Sequence, residues 1–314
     1  MKPSIKTIAE PRKASRRQRL RNWGKWLSIA GLILFLGVML FTQWVAGKTD
    51  LQVAAQAVGL PIPSSPRDEL IVMSVNCAHG RGEGAHQALT SKKTLRANCE
   101  SIGSLLAEHK ADIVSVQECD APSWWSGNFD HAKLIARTAG TPHLVHALNV
   151  DGAGLQYGTA VLSRLQLSDA VTHTFRPTPP TFSKGVAIAR ISWPGDTAFE
   201  FDFVTVHLDF ASGSARGNQV RELVEIVRKR AKPMIIAGDL NCDWREDGAV
   251  RQLTSALELD AFEPESDMVT FPFTGERLDW ILVSKELEIT AVEAIDARLS
   301  DHRPLRAVIR RSAQ

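Results

Sequence analysis

The feature that most constrains this chain is an uncharged, apolar run of 22 residues near its N-terminus. Residues 26–47 read WLSIAGLILFLGVMLFTQWVAG, with Lys25 before them and Lys48 after them. As an α-helix rising about 1.5 Å per residue, this run is about 33 Å long, enough to cross the roughly 30 Å hydrocarbon core of a bilayer. Trp26 and Trp44 lie near its two ends, where indole rings favour the membrane interface. The run predicts a transmembrane helix.

The charges around this run predict its orientation. The 25 residues before it hold nine Lys/Arg and one acid, Glu10, whereas the 314-residue chain has a formal net charge of +2. The tail therefore carries +8, which leaves about −6 on the rest. By the positive-inside rule we expect residues 1–25 to be a basic cytoplasmic tail and the body to be exported, to a periplasmic or extracellular position. A cleaved signal peptide is the alternative, because Val45 and Gly47 suit a small-residue cleavage site.

The rest of the chain divides into a linker and one domain. Residues 48–68 carry three prolines and predict a short helical piece followed by an extended tether. Beyond them the chain has no internal repeat. With 44% hydrophobic and 23% charged residues and only four cysteines, the composition excludes a disordered chain or a disulfide scaffold. We expect one domain over residues 69–314.

The hydrophobic patterns of this domain mix strands with helices. Apolar residues recur at helical spacing over residues 91–109 and 215–230. Two stacked sheets with helices outside them would bury both kinds of apolar face. The predicted strands cover residues 70–75, 112–117, 159–164, 186–192, 199–208, 233–238, 278–284 and 306–310.

Polar residues gather at the ends of these strands. Because strand ends meet at one rim of a sheet sandwich, residues far apart in sequence can converge there. The set holds carboxylates, amides and imidazoles, whose hard oxygen donors favour Mg²⁺ or Mn²⁺. A metal, a base for water and donors for developing charge are what hydrolysis of a phosphate ester needs. The residues are Asn76, Glu118, His207, Asp239, Asn241, Asp279, Asp301 and His302.

Seven blocks of sequence, in order, resemble a known family. They are SVNCAHG, DIVSVQECD, YGTAVLSR, TVHLDF, IIAGDLNCD, RLDWILVS and SDHRPL. Over about residues 70–310 the chain resembles the endonuclease/exonuclease/phosphatase superfamily, and is similar to deoxyribonuclease I and abasic-site endonucleases. The resemblance implies an α+β fold, a four-layer αββα sandwich of two mixed, mainly antiparallel sheets. Here it would follow one N-terminal transmembrane helix, with residues 69–314 as the catalytic domain.

The resemblance also implies which residues bind the metal and the attacking water. Glu118 would be the principal Mg²⁺ (or Mn²⁺) ligand. Asn76 would lie beside it, and Asp301 would approach the metal directly or through water. Asp239 and Asn241 would hold the attacking water and a phosphate oxygen.

Proton transfer and phosphate contacts are implied for two histidines. His302, oriented by Asp279, would act as general base or as phosphate clamp, because a carboxylate partner raises imidazole basicity and fixes its tautomer. Whether His302 or Asp239 takes the proton stays open. His207 would donate to the phosphate.

Three further residues are weaker candidates. Tyr157, the only tyrosine, precedes the block GTAVLSR, and a role in the site or in packing is equally open. His79 and Arg81, in the loop after the first strand, would add substrate-binding donors above the metal.

The expected activity is that of a metal-dependent hydrolase of phosphate ester bonds, a phosphodiesterase or nuclease that uses activated water. An acidic body lacks the basic surface of a protein that tracks a nucleic-acid backbone, although nucleic acid stays open as a partner. The alternative is a lipid, sphingomyelin or inositol-phosphate phosphoesterase, which anchoring at a membrane and the apolar pair Trp124–Trp125 would suit. A second alternative is a non-catalytic membrane-tethered binding module. No protein partner is indicated.

Overall fold

Helix α1, Arg16–Trp44, contains the apolar run. Its segment Leu27–Trp44 has a mean hydropathy of 1.9, and only 6% of that segment is buried against the rest of the protein. This computed structural model describes residues 16–48, 51–58, 67–245 and 248–312. Most of the predicted basic tail and the three linker prolines lie outside the described residues. Helix α1 is long and apolar enough for a single membrane span.

The domain is built on two sheets whose inner faces pack against each other. In chain order the strands are β1 Leu51–Val53, β2 Gln56–Ala57, β3 Glu69–Asn76, β4 Ile113–Asp120, β5 His143–Gly152, β6 Leu155–Ser163, β7 Ser168–Thr174, β8 Gly185–Trp193, β9 Asp196–His207, β10 Met234–Asp239, β11 Leu259–Ala261, β12 Asp279–Ser284, β13 Leu287–Ala294 and β14 Leu305–Arg311. One sheet has the order β13-β14-β3-β4-β6-β5-β2 and the other β1-β7-β8-β9-β10-β12-β11. Only β3–β4 and β9–β10 pair in parallel among the described strands.

Two helices cover the outer face of each sheet. Helices α2 (Lys92–Glu108) and α3 (His131–Ala139) pack on the first sheet, and α4 (Gly213–Arg228) and α5 (Gly248–Leu257) on the second. A third apolar layer fills the space between the sheets. The amphipathic helices and alternating strands thus bury their apolar faces in three layers. The predicted αββα sandwich is confirmed.

The sequence predicted eight of the ten inner strands and none of the four edge strands among the described residues. All eight predicted strands are present, with ends that differ by a few residues. Among the described residues, six further strands were not predicted, namely β1, β2, β5, β7, β11 and β13.

The segment after α1 differs from the expected helical piece and tether. Residues 51–57 form two short strands, because their backbone groups find partners on the open edges of both sheets. Strand β1 pairs with β7, with Leu51 opposite Thr172, and β2 pairs with β5, with Gln56 opposite Leu144. The described part of the predicted linker therefore lies along the side of the sandwich.

Candidate active site

The strand ends open onto one cavity of about 590 Å³. Parallel pairing places Asn76 beside Gln117 and His207 beside Asp239, while the antiparallel start of β12 places Asp279 opposite Asp239. Eight of the predicted site residues line this cavity: Asn76, Arg81, Glu118, His207, Asp239, Asn241, Asp301 and His302. Of the other three, Asp279 and His79 lie behind its wall in contact with the lining residues His302 and Glu118, and Tyr157 lies against His79.

Asp239 lies at the centre of the polar cluster. Its Oδ2 is 3.0 Å from Asn76 Nδ2, 3.5 Å from His207 Nε2 and 3.7 Å from His302 Nε2. Its Oδ1 accepts a hydrogen bond from the backbone N–H of Asn241 at 2.9 Å. Burial raises the pKa of Asp239 to about 7, although the nearby His302 acts in the opposite direction. The two sheets thus meet at one carboxylate whose proton can exchange near neutral pH.

Two local features place this carboxylate. A Cβ on Gly238 would lie 1.9 Å from the carbonyl oxygen of Val206, so only glycine lets β10 approach β9 so closely at this point. Asn241 then turns the chain with a φ of +49°, a left-handed conformation that asparagine tolerates better than most residues. Its side-chain amide donates to the carbonyl of Leu208 at 3.0 Å, which ties this turn to the end of β9.

His302 and Asp279 form a hydrogen-bonded pair. His302 Nδ1 lies 2.8 Å from Asp279 Oδ2, so Nε2 is the nitrogen directed at Asp239. The start of β12 is held by Thr270, whose Oγ1 accepts from the N–H groups of Leu278 and Asp279 at 2.9 and 3.0 Å. Burial opposes protonation of His302, but the carboxylates of Asp279 and Asp239 outweigh it and raise its pKa to about 10. At neutral pH this histidine is an imidazolium.

A bulge in β4 turns Glu118 into the cavity. The register with β6 shifts between Val116 and Cys119, and Glu118 adopts a φ of +50°. Bulges of this kind re-aim side chains and occur often beside active sites. Glu118 lies 3.6 Å from His79 Nε2 and 3.8 Å from Lys184 Nζ. Among the described residues none donates a hydrogen bond to its carboxylate, and each oxygen has only a longer contact with one basic nitrogen.

Lys184 is a site residue that sequence reasoning missed. It is 7% exposed, and its Nζ lies 3.4 Å from His207 Nδ1 as well as beside Glu118. Burial, and then the charge of Lys184, hold the pKa of His207 well below its usual range. His207 is therefore neutral beside a buried cation. No local signal distinguishes Lys184 from a surface lysine, because its burial depends on the pairing of β8 with β9.

His79 supports the Glu118 side of the cavity from behind. Its Nδ1 lies 2.7 Å from Asp120 Oδ2, and its ring lies 4.7 Å from the ring of Tyr157. Burial opposes protonation of His79, but Asp120 outweighs it and raises the pKa of the imidazole. Tyr157 packs against His79 and Trp125, outside the residues that line the cavity. Asp120, a second site residue that the sequence analysis did not select, directs His79 towards Glu118.

Arg81 and Asp301 face each other across the mouth of the cavity. Arg81 Nη2 donates to Asp301 Oδ2 at 2.6 Å, and Ser300 Oγ donates to Asp301 Oδ1 at 3.1 Å. Burial opposes ionisation of Asp301, but Arg81 outweighs it and lowers the pKa of this carboxyl. Both oxygens of Asp301, a predicted metal ligand, therefore already have partners in the protein.

Two groups of side chains could hold a metal ion. Donor atoms of Asp239, Asp279 and His302 lie within 4.8 Å of one another. However, the hydrogen bond between Asp279 and His302 would have to break for both to bind an ion. Glu118 and Asn76 offer oxygen atoms at the cavity wall, and the Glu118 oxygens have no donor of their own. This donor set fits a hard divalent ion such as Mg²⁺.

Solved structures of other proteins share this fold. The solved structure of an endonuclease/exonuclease/phosphatase family protein from Bacteroides thetaiotaomicron has a TM-score of 0.62 and 18% identity, over 78% of this chain and 98% of that one. A mannosyl-6-phosphatase from Bacteroides thetaiotaomicron VPI-5482 has a TM-score of 0.58 and 18% identity, over 76% and 99%. The human Nocturnin catalytic domain with bound sulfate has a TM-score of 0.56 and 18% identity, over 79% and 96%.

Comparison of the sequence with known families identifies the family of this chain. A search of curated protein sequences gives no match. The sequence model of the Endonuclease/Exonuclease/phosphatase family matches residues 73–302, from the first site strand to His302. Members of this family are usually hydrolytic and typically depend on a divalent metal. By this match, which spans most of the domain, the chain belongs to the endonuclease/exonuclease/phosphatase family.

Proposed function

We propose that this protein is a divalent-metal-dependent phosphoesterase that hydrolyses phosphate ester bonds with an activated water, Mg²⁺ or Mn²⁺ being its cofactor. One observation carries the proposal. Asp239 lies within 3.7 Å of an amide from β3, an imidazole from β9 and an imidazolium from the loop before β14. These groups come from both sheets and differ in charge and in hydrogen-bonding role. Their convergence provides a base and donors around a single reacting centre.

Glu118 and Asn76 are the residues that would hold the metal ion. A divalent ion there would offset the charge of a phosphoryl oxygen and favour attack on phosphorus. Asn76 also donates to Asp239 Oδ2, so it connects the metal side of the cavity with the water side. Lys184 lies beside Glu118 and contributes further positive charge to the same wall.

Asp239 and His302 have different roles: Asp239 accepts a proton, and His302 stays protonated. Asp239 has a pKa of about 7, which suits a general base that removes a proton from water as its oxygen attacks phosphorus. His302 is held protonated by Asp279, so its Nε2 donates to the phosphoryl oxygens instead of accepting a proton from water. As the bond from phosphorus to the leaving oxygen breaks, that oxygen takes up a proton from solvent water, and Asp239 returns its proton to solvent after the reaction. On this assignment Asp239 is the base.

His207 and Asn241 position the other side of the phosphate. His207 is neutral, and its Nε2 faces Asp239 at 3.5 Å, so it can donate to an oxygen bound between them. Asn241 fixes Asp239 through its backbone N–H. Arg81 lies at the mouth and would contact the part of the substrate that projects from the cavity. Tyr157, behind His79, is assigned to packing.

The test is hydrolysis by the full chain in detergent. Bis-p-nitrophenyl phosphate, p-nitrophenyl phosphate and plasmid DNA are supplied with Mg²⁺, Mn²⁺ or EDTA. We expect metal-dependent hydrolysis of at least one ester and its loss with EDTA. Asp239→Asn should lower kcat by about 100-fold or more because it removes the general base, and Asp279→Asn should do the same because His302 loses the carboxylate that keeps it protonated. Equal activity with EDTA, or unchanged kcat in Asp239→Asn, would contradict the mechanism.

The location of the enzyme is part of the proposal. We infer that α1 anchors the chain as a single-pass membrane protein with its N-terminus in the cytoplasm. The support is the apolar segment Leu27–Trp44 and the nine cations before the span. The catalytic domain would then act outside the cytoplasm.

A further inference from the structure

The membrane helix is joined to the catalytic domain without a spacer. Immediately after α1 the chain pairs with β5: Ala46 lies opposite Val150, and the N–H of Gly47 donates to the carbonyl of Asn149 at 2.8 Å. The N–H of Asp151 donates back to the carbonyl of Val45 at 2.8 Å, and Val45 is fully buried. We refer to residues 45–47 and their β5 partners as the junction. The apolar segment ends at Trp44, so the domain must lie against the membrane surface.

The junction is at the active-site end of the sandwich. Val150 is opposite Tyr157 in the β5–β6 pair, and Tyr157 is opposite Asp120 at the end of β4. A series of contacts between aromatic rings connects the junction with the cavity. The Phe41 ring of α1 lies 6.3 Å from Phe182, which lies 6.0 Å from Tyr157. Tyr157 contacts His79, and His79 lies 3.6 Å from Glu118. The end of the span and the proposed metal ligand are therefore on the same face.

The exposed large apolar side chains of the domain are on this face too. In the described part of the domain there are four of them, each in a different loop at the active-site end of the strands. Leu89 follows β3, Trp124 follows β4, Phe210 follows β9 and Phe273 precedes β12. They are 64 to 90% exposed. We call these four residues the apolar rim. In the described part of the domain the exposed large apolar side chains are therefore concentrated at the active-site end.

We propose that the apolar rim rests on the leaflet in which α1 ends, so that the cavity opens onto lipid headgroups and the substrate is a phosphate ester carried by a membrane lipid. Aromatic side chains favour the depth of the headgroups, and a face with several of them lies flat in the interface. The junction holds the rim at that depth. This inference rests on the proposed phosphoesterase function and on α1 as the span, and it selects the substrate class.

Contact with the bilayer is tested on the full chain in vesicles of phosphatidylcholine, phosphatidylglycerol and sphingomyelin. A nitroxide is attached to Phe273→Cys on the rim, or to Ala231→Cys on an exposed turn at the opposite end of the domain. The four native cysteines are buried. Relaxation by dissolved oxygen and by a water-soluble nickel complex then measures depth. We expect the Phe273 label to be within the interface and the Ala231 label to be in water. Both labels in water would overturn the docking.

The substrate class is tested with the same vesicles and with soluble bis-p-nitrophenyl phosphate. Leu89→Glu and Phe273→Glu place charges on the rim, and Ala231→Glu adds a charge at the opposite end as a matched control. The rim variants should lower release of phosphorylated headgroup by about tenfold or more, with hydrolysis of the soluble ester unchanged. Ala231→Glu should change neither.

The two proposals fail in different ways. If neither the soluble ester nor the lipid is hydrolysed with any metal, the proposed function fails, whatever the nitroxide shows. The lipid substrate is wrong if the soluble ester is hydrolysed but lipid is not. It is also wrong if the rim variants hydrolyse lipid as fast as the unmodified protein does. In both cases the proposed phosphoesterase activity is retained.

Discussion

At Glu118, a bulge directs a carboxylate at the cavity, with His79 at 3.6 Å and Lys184 at 3.8 Å. A glutamine there keeps the size of the side chain and removes its charge. We expect Glu118→Gln to weaken Mn²⁺ binding and to lower metal-dependent hydrolysis by about 100-fold or more, because a bound metal contributes several kcal/mol of charge stabilisation. Calorimetric titration with Mn²⁺ and assay of bis-p-nitrophenyl phosphate measure the two effects.

The control is Glu100→Gln, which removes the same charge from the exposed side of α2. It should bind Mn²⁺ and hydrolyse the ester as the unmodified protein does. Equal Mn²⁺ affinity in Glu118→Gln would show that the ion is held elsewhere, with the trio Asp239, Asp279 and His302 the first place to look.

A buried histidine outside the cavity predicts how stability depends on pH. His131 is fully buried, and its Nε2 lies 3.0 Å from the carbonyl of Ser126. Burial lowers the pKa of His131 from 6.5, although Asp120 acts in the opposite direction. Below pH 6.5 the unfolded chain takes up a proton that the folded chain resists. Lowering the pH therefore lowers the free energy of unfolding, by at most about 1.4 kcal/mol per pH unit for this one group.

His131→Gln removes that proton uptake. Urea unfolding at about pH 7.5 and about pH 5.5 should show a smaller loss of stability on acidification in this variant. His109→Gln, at the end of α2 and outside the apolar layers, should keep the full loss. Identical pH dependence in all three proteins would mean that His131 is protonated in the folded state.

Most of the site could be predicted from single residues, because each follows or precedes an apolar strand. Asn76, Glu118 and Asp239 are polar residues at points where a buried strand ends, and such positions need a partner or a function. Lys184 and Thr270 have no comparable signal in the sequence. Lys184 is buried only through pairing of β8, and Thr270 accepts from backbone groups eight and nine residues further along the chain. Contacts of that kind depend on the assembled fold.

Among the elements of the domain, helices α2 and α4 and most inner strands follow from their periodicity, whereas α3, α5 and the edge strands were not predicted. Helix α2 begins at Lys92 because Ser91 caps it, with its Oγ accepting from the N–H of Thr94 at 3.1 Å. Strand β13, with the sequence LEITAVEA, has the composition of a helix and forms a strand because β14 offers an open edge. Pairing with a strand elsewhere in the fold decides the secondary structure of such segments.

The junction gives a prediction at this scale. A Cβ on Gly47 would lie 1.9 Å from the carbonyl oxygen of Leu148, so Gly47→Leu cannot keep the close approach to β5. We expect this variant to lose lipid hydrolysis by about tenfold, since the domain is no longer held at the bilayer. Hydrolysis of the soluble ester should not change. The assay compares both substrates in the same vesicles.

Gly37→Leu is the matched control, because a Cβ at Gly37 meets nothing within 4 Å inside α1. It adds the same side chain within α1, away from the junction, and should behave as the unmodified protein. Equal losses in both variants would assign the effect to membrane insertion.

For the whole molecule, the uneven distribution of charge predicts the topology. The first 25 residues carry +8 and the remainder about −6. We expect Ser4→Cys to react with an impermeant maleimide only in inside-out membrane vesicles, and Ala231→Cys only in right-side-out vesicles. The mass of the purified protein should include residue 1. A mass that begins near residue 47 would show instead a cleaved signal peptide.

The overall fold could be predicted because seven blocks occur in family order; each contains part of a strand, although the seventh is mostly the loop before β14. The attachment of α1 to the domain could not. Val45 and Gly47 are small residues that also suit a cleavage site or a loop, and their partners on β5 are about a hundred positions further along the chain. Only the assembled sandwich shows that they complete its edge.

The absence of a spacer at the junction has a mechanical consequence. With α1 in the membrane and a lipid as the substrate, as proposed, the enzyme would meet its substrate by lateral diffusion in two dimensions, and its rate would follow surface density and not bulk concentration. A helix that is longer or shorter than the local hydrocarbon thickness changes its tilt. Because the helix and the domain would tilt together, the acyl-chain length of the lipids would set the angle between the opening of the cavity and the membrane surface.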